Sequence, residues 1–450
     1  MLCDHSPVQH ADTILALATP IGMGALAVLR LSGPTAHAIA CAATERDVLK
    51  PRRATLVRVR DARGRILDSA VATFFASPAS YTGEDVVEFS CHGGMLVVQR
   101  VSERLLELGA RPAEPGEFSR RAFENGRMDL TQAEAVMDII AAGSDLALRA
   151  AQDQLQGALS RRVQQAADAL ISVAAHNAAY IDFPEEDIAP DTKDALLAQL
   201  ADVRAQIRAL LSTADAGRVL REGVRTAIVG APNVGKSSLL NLLLGYDRAL
   251  VSDTAGTTRD TVEETLSVRG LCLRLIDTAG LHESADALEQ AGMERSRRAC
   301  AAADLVLEVA DISRPRVSVE LPDNGAVHLL LLNKCDLPAH PDWAGEMGGI
   351  RLCCRTGEGR GALEQAIEKE FLAGLGESDS PMAVNTRHRY ALQEADAALV
   401  RAEESFSAGE SPEFTDVPLR DALDALGAVT GHIDTEDILD RVFSTFCLGK

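Results

Sequence analysis

Gly230-Ala231-Pro232-Asn233-Val234-Gly235-Lys236-Ser237 follows the apolar run 227–229 and precedes Leu239-Leu240-Asn241-Leu242. Strand, glycine-rich turn and helix in that order form a cradle whose backbone N–H groups wrap phosphates. Lys236 then reaches the terminal phosphates and Ser237 can hold Mg²⁺. This octapeptide predicts a nucleoside triphosphate site on an α/β sheet. About half of the 450 residues precede it, so the nucleotide domain is inserted into something else.

Three further segments follow in an order that fits one phosphate-binding fold. Asp277-Thr278-Ala279-Gly280 comes after the apolar run 271–276, which puts Asp277 at a strand's carboxyl end, where it can hold Mg²⁺ through water while the Gly280 N–H meets the γ-phosphate. Asn333-Lys334-Cys335-Asp336 comes after the run 329–332, and the Asp336 carboxylate can accept from the N1–H and 2-amino group of guanine, a donor pair adenine lacks. Between them lies the hydroxyl-rich loop Asp253-Thr254-Ala255-Gly256-Thr257-Thr258-Arg259-Asp260, with Thr258 as the natural second hydroxyl ligand for Mg²⁺. Leu352-Cys353-Cys354-Arg355-Thr356-Gly357 ends another strand and would pass the base edge. Leu281 stands where many GTPases carry a water-orienting glutamine, so water must be positioned by another group. Strands are expected at 224–229, 262–269, 271–276, 304–310, 327–332 and 349–353.

Length suggests about three domains. Residues 1–127 alternate short apolar runs with glycine and proline, and two helices are expected near 34–43 and 95–108, the pattern of a small α+β domain. Helical periodicity governs 129–180 and 191–211, separated by the acidic, proline-containing corner Asp182-Phe183-Pro184-Glu185-Glu186-Asp187, and it returns from Asn385 onward. The economical arrangement packs the later helices on the earlier pair, which makes the helical domain discontinuous. The boundaries expected are 1–127, 128–222, 223–375 and 376–450.

No run of 18 apolar residues and no basic-start signal peptide is present, which implies a cytoplasmic protein without a membrane span. Nine cysteines without CxxC pairing indicate neither a disulfide framework nor a zinc site. A net charge of −21 argues against a wide nucleic-acid footprint, with a local exception in the seven cations of residues 50–65. Such a patch is ordinarily a solvated face, and its alternative is phosphate contact.

The chain resembles the MnmE (TrmE) family, GTPases that modify the tRNA wobble uridine. Beyond the nucleotide motifs, the resemblance rests on Asp12-Thr13-Ile14, Tyr81-Thr82-Gly83-Glu84-Asp85, His92-Gly93-Gly94, Pro115-Gly116-Glu117-Phe118-Ser119, Met128-Asp129-Leu130, the 182–188 segment and, most specifically, Phe446-Cys447-Leu448-Gly449-Lys450. It implies a multidomain α/β and α+β fold: an N-terminal α+β domain that binds a tetrahydrofolate derivative (5-formyl- or 5,10-methylene-) and dimerises, a discontinuous α-helical domain, and an inserted Ras-like P-loop GTPase domain. Matching positions nominate Arg30, Glu88, Arg127 and Lys450 as folate contacts. GTP contacts fall to Asn233, Val234, Gly235, Lys236, Ser237 and Ser238, to Ser252, Asp253, Thr254, Ala255, Gly256, Thr257 and Thr258, to Asp277, Thr278, Ala279 and Gly280, and to Asn333, Lys334, Asp336, Cys353, Cys354 and Arg355. Mg²⁺ is held by Ser237 and Thr258, K⁺ by Asn233, Ser252, Thr254 and Thr257 in place of an arginine finger, and Glu289 orients water. Cys447 is a catalytic candidate or a packing residue. The family acts as a homodimer with the FAD-dependent partner MnmG (GidA), forming a heterotetramer on tRNA that installs an aminomethyl-type group at carbon 5 of uridine 34. A regulatory GTPase switch in ribosome assembly is the competing expectation. Departures include Gly22-Met23-Gly24-Ala25 in a usually glycine- and arginine-bearing turn, Cys353-Cys354 for a usual Ser-Ala, Arg127 for a frequent Lys, and His282 for a frequent Arg.

Overall fold

A computed structural model of the chain describes residues 10–182, 193–245, 264–276, 297–317, 324–344, 348–372, 384–431, 436–447 and 449–450. The chain divides into two compact units, one made of Met1–Met137 with Gly427–Lys450 and the other of Asp138–Leu426.

In the first unit, β1 (Ile14–Leu17), β2 (Leu26–Ser32), β3 (Thr55–Arg60), β4 (Ile66–Phe75), β5 (Val86–His92) and β6 (Arg111–Pro112) form one sheet in the order β3-β4-β5-β2-β1-β6. Only the short β1–β6 pairing is parallel. Period-two alternation divides the faces: Leu29 and Leu31 of β2 are buried under the helices Ala36–Thr44 and Met95–Glu107, in a core shared with Ile39, Val57, Phe89 and Leu105. Each such side chain contributes about 1.5–3 kcal/mol by burial. Arg30, between the two leucines, turns to the opposite face, and the register sets it beside Ala16 on one side and Glu88 on the other. Later residues return to this unit through the helix Glu436–Ser444, whose Leu439 and Phe443 pack with Phe446, Leu130 and Ala133. Gly116, at φ 71°, sits under that helix; a Cβ there would lie 2.5 Å from the Phe443 carbonyl.

The second unit carries β7 (Val224–Val229), β8 (Glu264–Val268), β9 (Leu271–Leu275), β10 (Leu305–Asp311), β11 (Val327–Asn333) and β12 (Ile350–Arg351) in the order β12-β11-β10-β7-β9-β8. Every pairing is parallel except β8 with β9. Leu271, Leu273, Leu305, Leu307 and Val309 are buried, as near-continuous apolar strands between covering layers require. Long helices accompany the sheet: Ala158–Asp182, Lys193–Ser212, Thr386–Ala408 and, up to Leu426, Pro412–Thr430. Thr386–Ala408 lies against Lys193–Ser212, with Arg204 ion-paired to Asp396 and Glu403. It starts at a reciprocal cap, in which the Asn385 side chain accepts from the His388 N–H and the His388 ring accepts from the Asn385 N–H. The expected corner after Asp182 lies outside the described residues.

Candidate functional site

The phosphate loop leaves the end of β7 and enters the helix Lys236–Leu244. Both glycines of the motif have a steric reason. A Cβ on Gly230, at φ 144°, would lie 2.2 Å from the Val309 carbonyl, and one on Gly235, at φ 110°, 2.2 Å from Asn333 Nδ2. The helix's N-terminus, the positive end of its dipole, opens on the same loop. Lys236 donates from Nζ to the Gly230 and Ala231 carbonyls at 2.9 and 3.0 Å, and burial lowers its pKa.

Asn333 ties this loop to the base side. Its Nδ2 donates to the Val234 carbonyl at 2.8 Å, and its Oδ1 accepts from the Cys354 N–H at 3.1 Å. Lys334 spans the same gap, donating to the Asn233 carbonyl at 3.3 Å and pairing with buried Asp311 at the end of β10. Asp336 accepts from Arg355 Nη2 at 2.8 Å and from the Cys353 thiol at 3.2 Å, and these two hydrogen bonds, Arg355 first, hold its carboxyl below the usual range. Burial pushes the neighbouring Cys354 thiol up to about 11, so it stays protonated at neutral pH. A cleft of about 950 Å³, lined among others by Gly235, Ser238, Asn333, Asp336, Cys354 and Arg355, joins the phosphate loop to these residues. Its size falls in the range of small-molecule sites.

The structure thus brings together the phosphate loop, Asn333, Lys334, Asp336, Cys353, Cys354 and Arg355. Ser252, Asp253, Thr254, Ala255, Gly256, Thr257, Thr258, Asp277, Thr278, Ala279, Gly280, Leu281, His282 and Glu289 lie outside the described residues. The Asp311–Lys334 pair was not foreseen; Asp311 ending an apolar strand beside the Asn-Lys-x-Asp strand was the available signal.

A second constellation lies in the first unit. Arg30 pairs with Glu88 at 2.8 Å, donates to the Gly449 carbonyl at 3.2 Å and lies over the rings of Tyr81 (5.4 Å) and Phe118 (5.7 Å). Lys450 Nζ is 5.9 Å from the Tyr81 ring centroid. Burial and the Arg30 charge depress the Lys450 pKa, against the opposing pull of Glu88. Burial raises the Tyr81 phenol, whose hydroxyl is 2.8 Å from that of Ser119. Gly449, at φ 89°, seats this segment against β1: a Cβ would lie 2.5 Å from the Leu17 carbonyl. Arg30, Glu88 and Lys450 therefore meet, while Arg127 is exposed beside Gly83, where a Cβ would come 3.3 Å from its side chain. Cys447 is exposed. Beneath the site, fully buried Arg121 pairs with Asp12, Glu84 and Glu117, and Glu84 also accepts from Ser32 at 2.6 Å.

Residues 13–127 match the family model of the GTP-binding protein TrmE N-terminus, and residues 130–447 that of the MnmE helical domain. The chain belongs to the MnmE family. Its MnmE relatives include a protein of Akkermansia muciniphila, 58% identical over 97% of this chain and 99% of its own length, and one of Opitutus terrae, 47% identical over 98% and 99%. Both carry the name tRNA modification GTPase MnmE. Among solved structures, the G domain of the T. maritima FeoB iron transporter is similar over 32% of this chain and 96% of its own, at 25% identity and a TM-score of 0.22. No helix among the described residues is long and apolar enough to cross a membrane.

Proposed function

We propose that the chain hydrolyses GTP in the modification of the tRNA wobble uridine. The observation that carries this reading is the pairing, in one MnmE-family chain, of the cleft between phosphate loop and Asp336 with the Arg30–Glu88–Lys450 pocket.

On the nucleotide side, the first-turn N–H groups and Lys236 bind the phosphates, and Lys236 exchanges its two loop carbonyls for phosphate oxygens. Asp336 reads the guanine edge, steadied by Cys353 and Arg355. Ser237 and Thr258 would hold Mg²⁺, and Asn233, Ser252, Thr254 and Thr257 would hold K⁺; ions held there would supply positive charge to the bound phosphates. Glu289 orients the attacking water, a role Leu281 cannot fill.

In the first unit, the residues fit a tetrahydrofolate derivative. Arg30 and Lys450 suit the glutamate carboxylates, Glu88 suits the donor edge of the pterin, and Tyr81 and Phe118 offer ring faces. The depressed Lys450 pKa supports that fit, because a carboxylate beside a half-buried ammonium offsets the desolvation that lowers it. When bound, the folate would supply the one-carbon unit, with Arg127 as a further contact and Cys447 as a candidate catalytic thiol. The four-part organisation 1–127, 128–222, 223–375 and 376–450, a homodimer, an FAD-dependent MnmG partner and a cytoplasmic location complete the proposal.

Mass spectrometry of wobble nucleosides tests it. A strain lacking the gene should lose the carbon-5 aminomethyl-type group on uridine 34 and regain it with the intact chain. Unchanged nucleosides, accompanied by a defect in ribosome assembly, would instead favour the switch reading.

A further inference from the structure

We propose that the β3–β4 hairpin and its lead-in, residues 46–65, form a docking surface for the phosphate backbone of RNA. The proposal rests on the reading above in taking that RNA to be tRNA. Eight cations stand here against Asp47 and Asp61, in a chain of net charge −21. Half of them are engaged within the protein. Arg46 donates to the Leu56 carbonyl at 3.0 Å, Arg52 to the Ala79 carbonyl at 2.7 Å and Arg60 to the Gly64 carbonyl at 2.7 Å, while Arg65 pairs with Asp61. The other half, Lys50, Arg53, Arg58 and Arg63, are exposed, and their side chains have no hydrogen bond, ion pair or ring contact among the described residues.

Placement turns these four charges into a surface. β3 is the outer strand of its sheet, with Val57 and Val59 in the core, so the intervening Arg58 points away from it. Arg46 occupies the outer-edge carbonyl of Leu56, which blunts the edge against addition of another strand. Unneutralised like charges repel, and an external polyanion relieves that repulsion by releasing its counterions.

Guanidinium groups suit phosphate oxygens, since their forked donors bind two at once. Residues 46–65 contain no Phe, Tyr, Trp or His, so no ring is offered for base stacking and the contact is to backbone, independent of sequence. A lipid surface fits less well. The exposed Leu56 stands opposite exposed Val71, but Ile66 lies about 13 Å away along the strands, opposite Arg60, so cations interrupt the apolar side chains of this hairpin.

The experiment compares the full-length chain with R53A/R58A/R63A and R53K/R58K/R63K, measuring tRNA binding by fluorescence anisotropy across KCl concentrations. The alanine variant should bind about tenfold or more weakly at 100 mM KCl, with the slope of log affinity against log salt smaller by about 2–3. The lysine variant should retain binding, unrelated tRNAs should lose affinity equally, and GTP turnover without tRNA should be unchanged in both. Equal affinity and slope in the alanine variant would overturn the proposal. So would failure of the unaltered chain to bind tRNA at 50 mM KCl, or capture of the chain by phosphatidylserine vesicles but not by tRNA. The wobble-nucleoside assay fails or succeeds separately, because it reports the modification whether or not this hairpin holds the RNA.

Discussion

Cys353 shows how much of a recognition site can rest on one atom. Its thiol donates to the Asp336 carboxylate, the proposed reader of guanine, while Arg355 fixes the other oxygen. Replacing Cys353 by Ala should weaken GDP binding about five- to tenfold in a fluorescent-nucleotide titration, because the carboxylate loses one of its two restraints, and Cys353→Ser should restore it. Equal affinity in both variants would mean that Arg355 alone holds Asp336. Arg121 carries more weight for stability. Fully buried, it neutralises Asp12, Glu84 and Glu117, so Arg121→Ala should cost about 3–5 kcal/mol in denaturant unfolding of the first unit. Burial alone would raise the Asp12 and Glu117 carboxyls; hydrogen bonds from Arg111 and Arg121, joined for Glu117 by the Glu114 N–H, outweigh it and leave both lowered. A depressed carboxyl binds fewer protons in the folded state, so this stability is complete above about pH 4.5 and is lost as pH falls further. Circular dichroism of the first unit against pH checks the direction; Glu117→Gln should flatten that acid limb.

At the scale of elements, most of what the sequence predicted was carried by periodicity and steric rules. The helices expected near 34–43 and 95–108 are Ala36–Thr44 and Met95–Glu107. Strand β4 begins at Ile66, four residues before its apolar run, because Leu67, Asp68 and Ser69 continue the ladder despite their mixed polarity. Asp68 is polar yet buried, since it accepts from the His92 N–H at 2.9 Å and from the His92 ring, a cross-strand partnership no single-segment pattern reveals. Motif glycines were legible as turns, but what they avoid was not. Gly235 is compelled by Asn333, about a hundred residues away, and Gly449 by the backbone of β1. Gly449→Val should therefore unseat Lys450 from Arg30 and Tyr81. Binding of 5-formyltetrahydrofolate, measured by calorimetry, should fall tenfold or more, with GTP turnover within twofold of the unaltered chain.

Across the whole molecule, the two compact units carry the two proposed ligands separately. A ligand that binds only the folded state stabilises its own unit by about 2.7 kcal/mol at a hundred times its dissociation constant. Differential scanning calorimetry should then show GDP raising one transition and 5-formyltetrahydrofolate the other; a single transition raised equally by both would mean that the units unfold as one. The sequence made the inserted nucleotide domain legible because its motifs are local and ordered. That residues 427–450 join the first unit was less legible, since the apolar spacing of Leu439, Val442 and Phe443 states only that a helix face needs covering, not which surface covers it.

Arg30 and the Gly449 carbonyl are separated by 419 residues along the chain, and the whole second unit lies between them. During synthesis the first sheet can form early, yet the pocket on it stays open until residue 449 has left the ribosome. A product truncated within the intervening stretch lacks the Gly449 carbonyl and the Lys450 ammonium that meet Arg30 and Tyr81. Only a chain read through to this point carries both proposed sites.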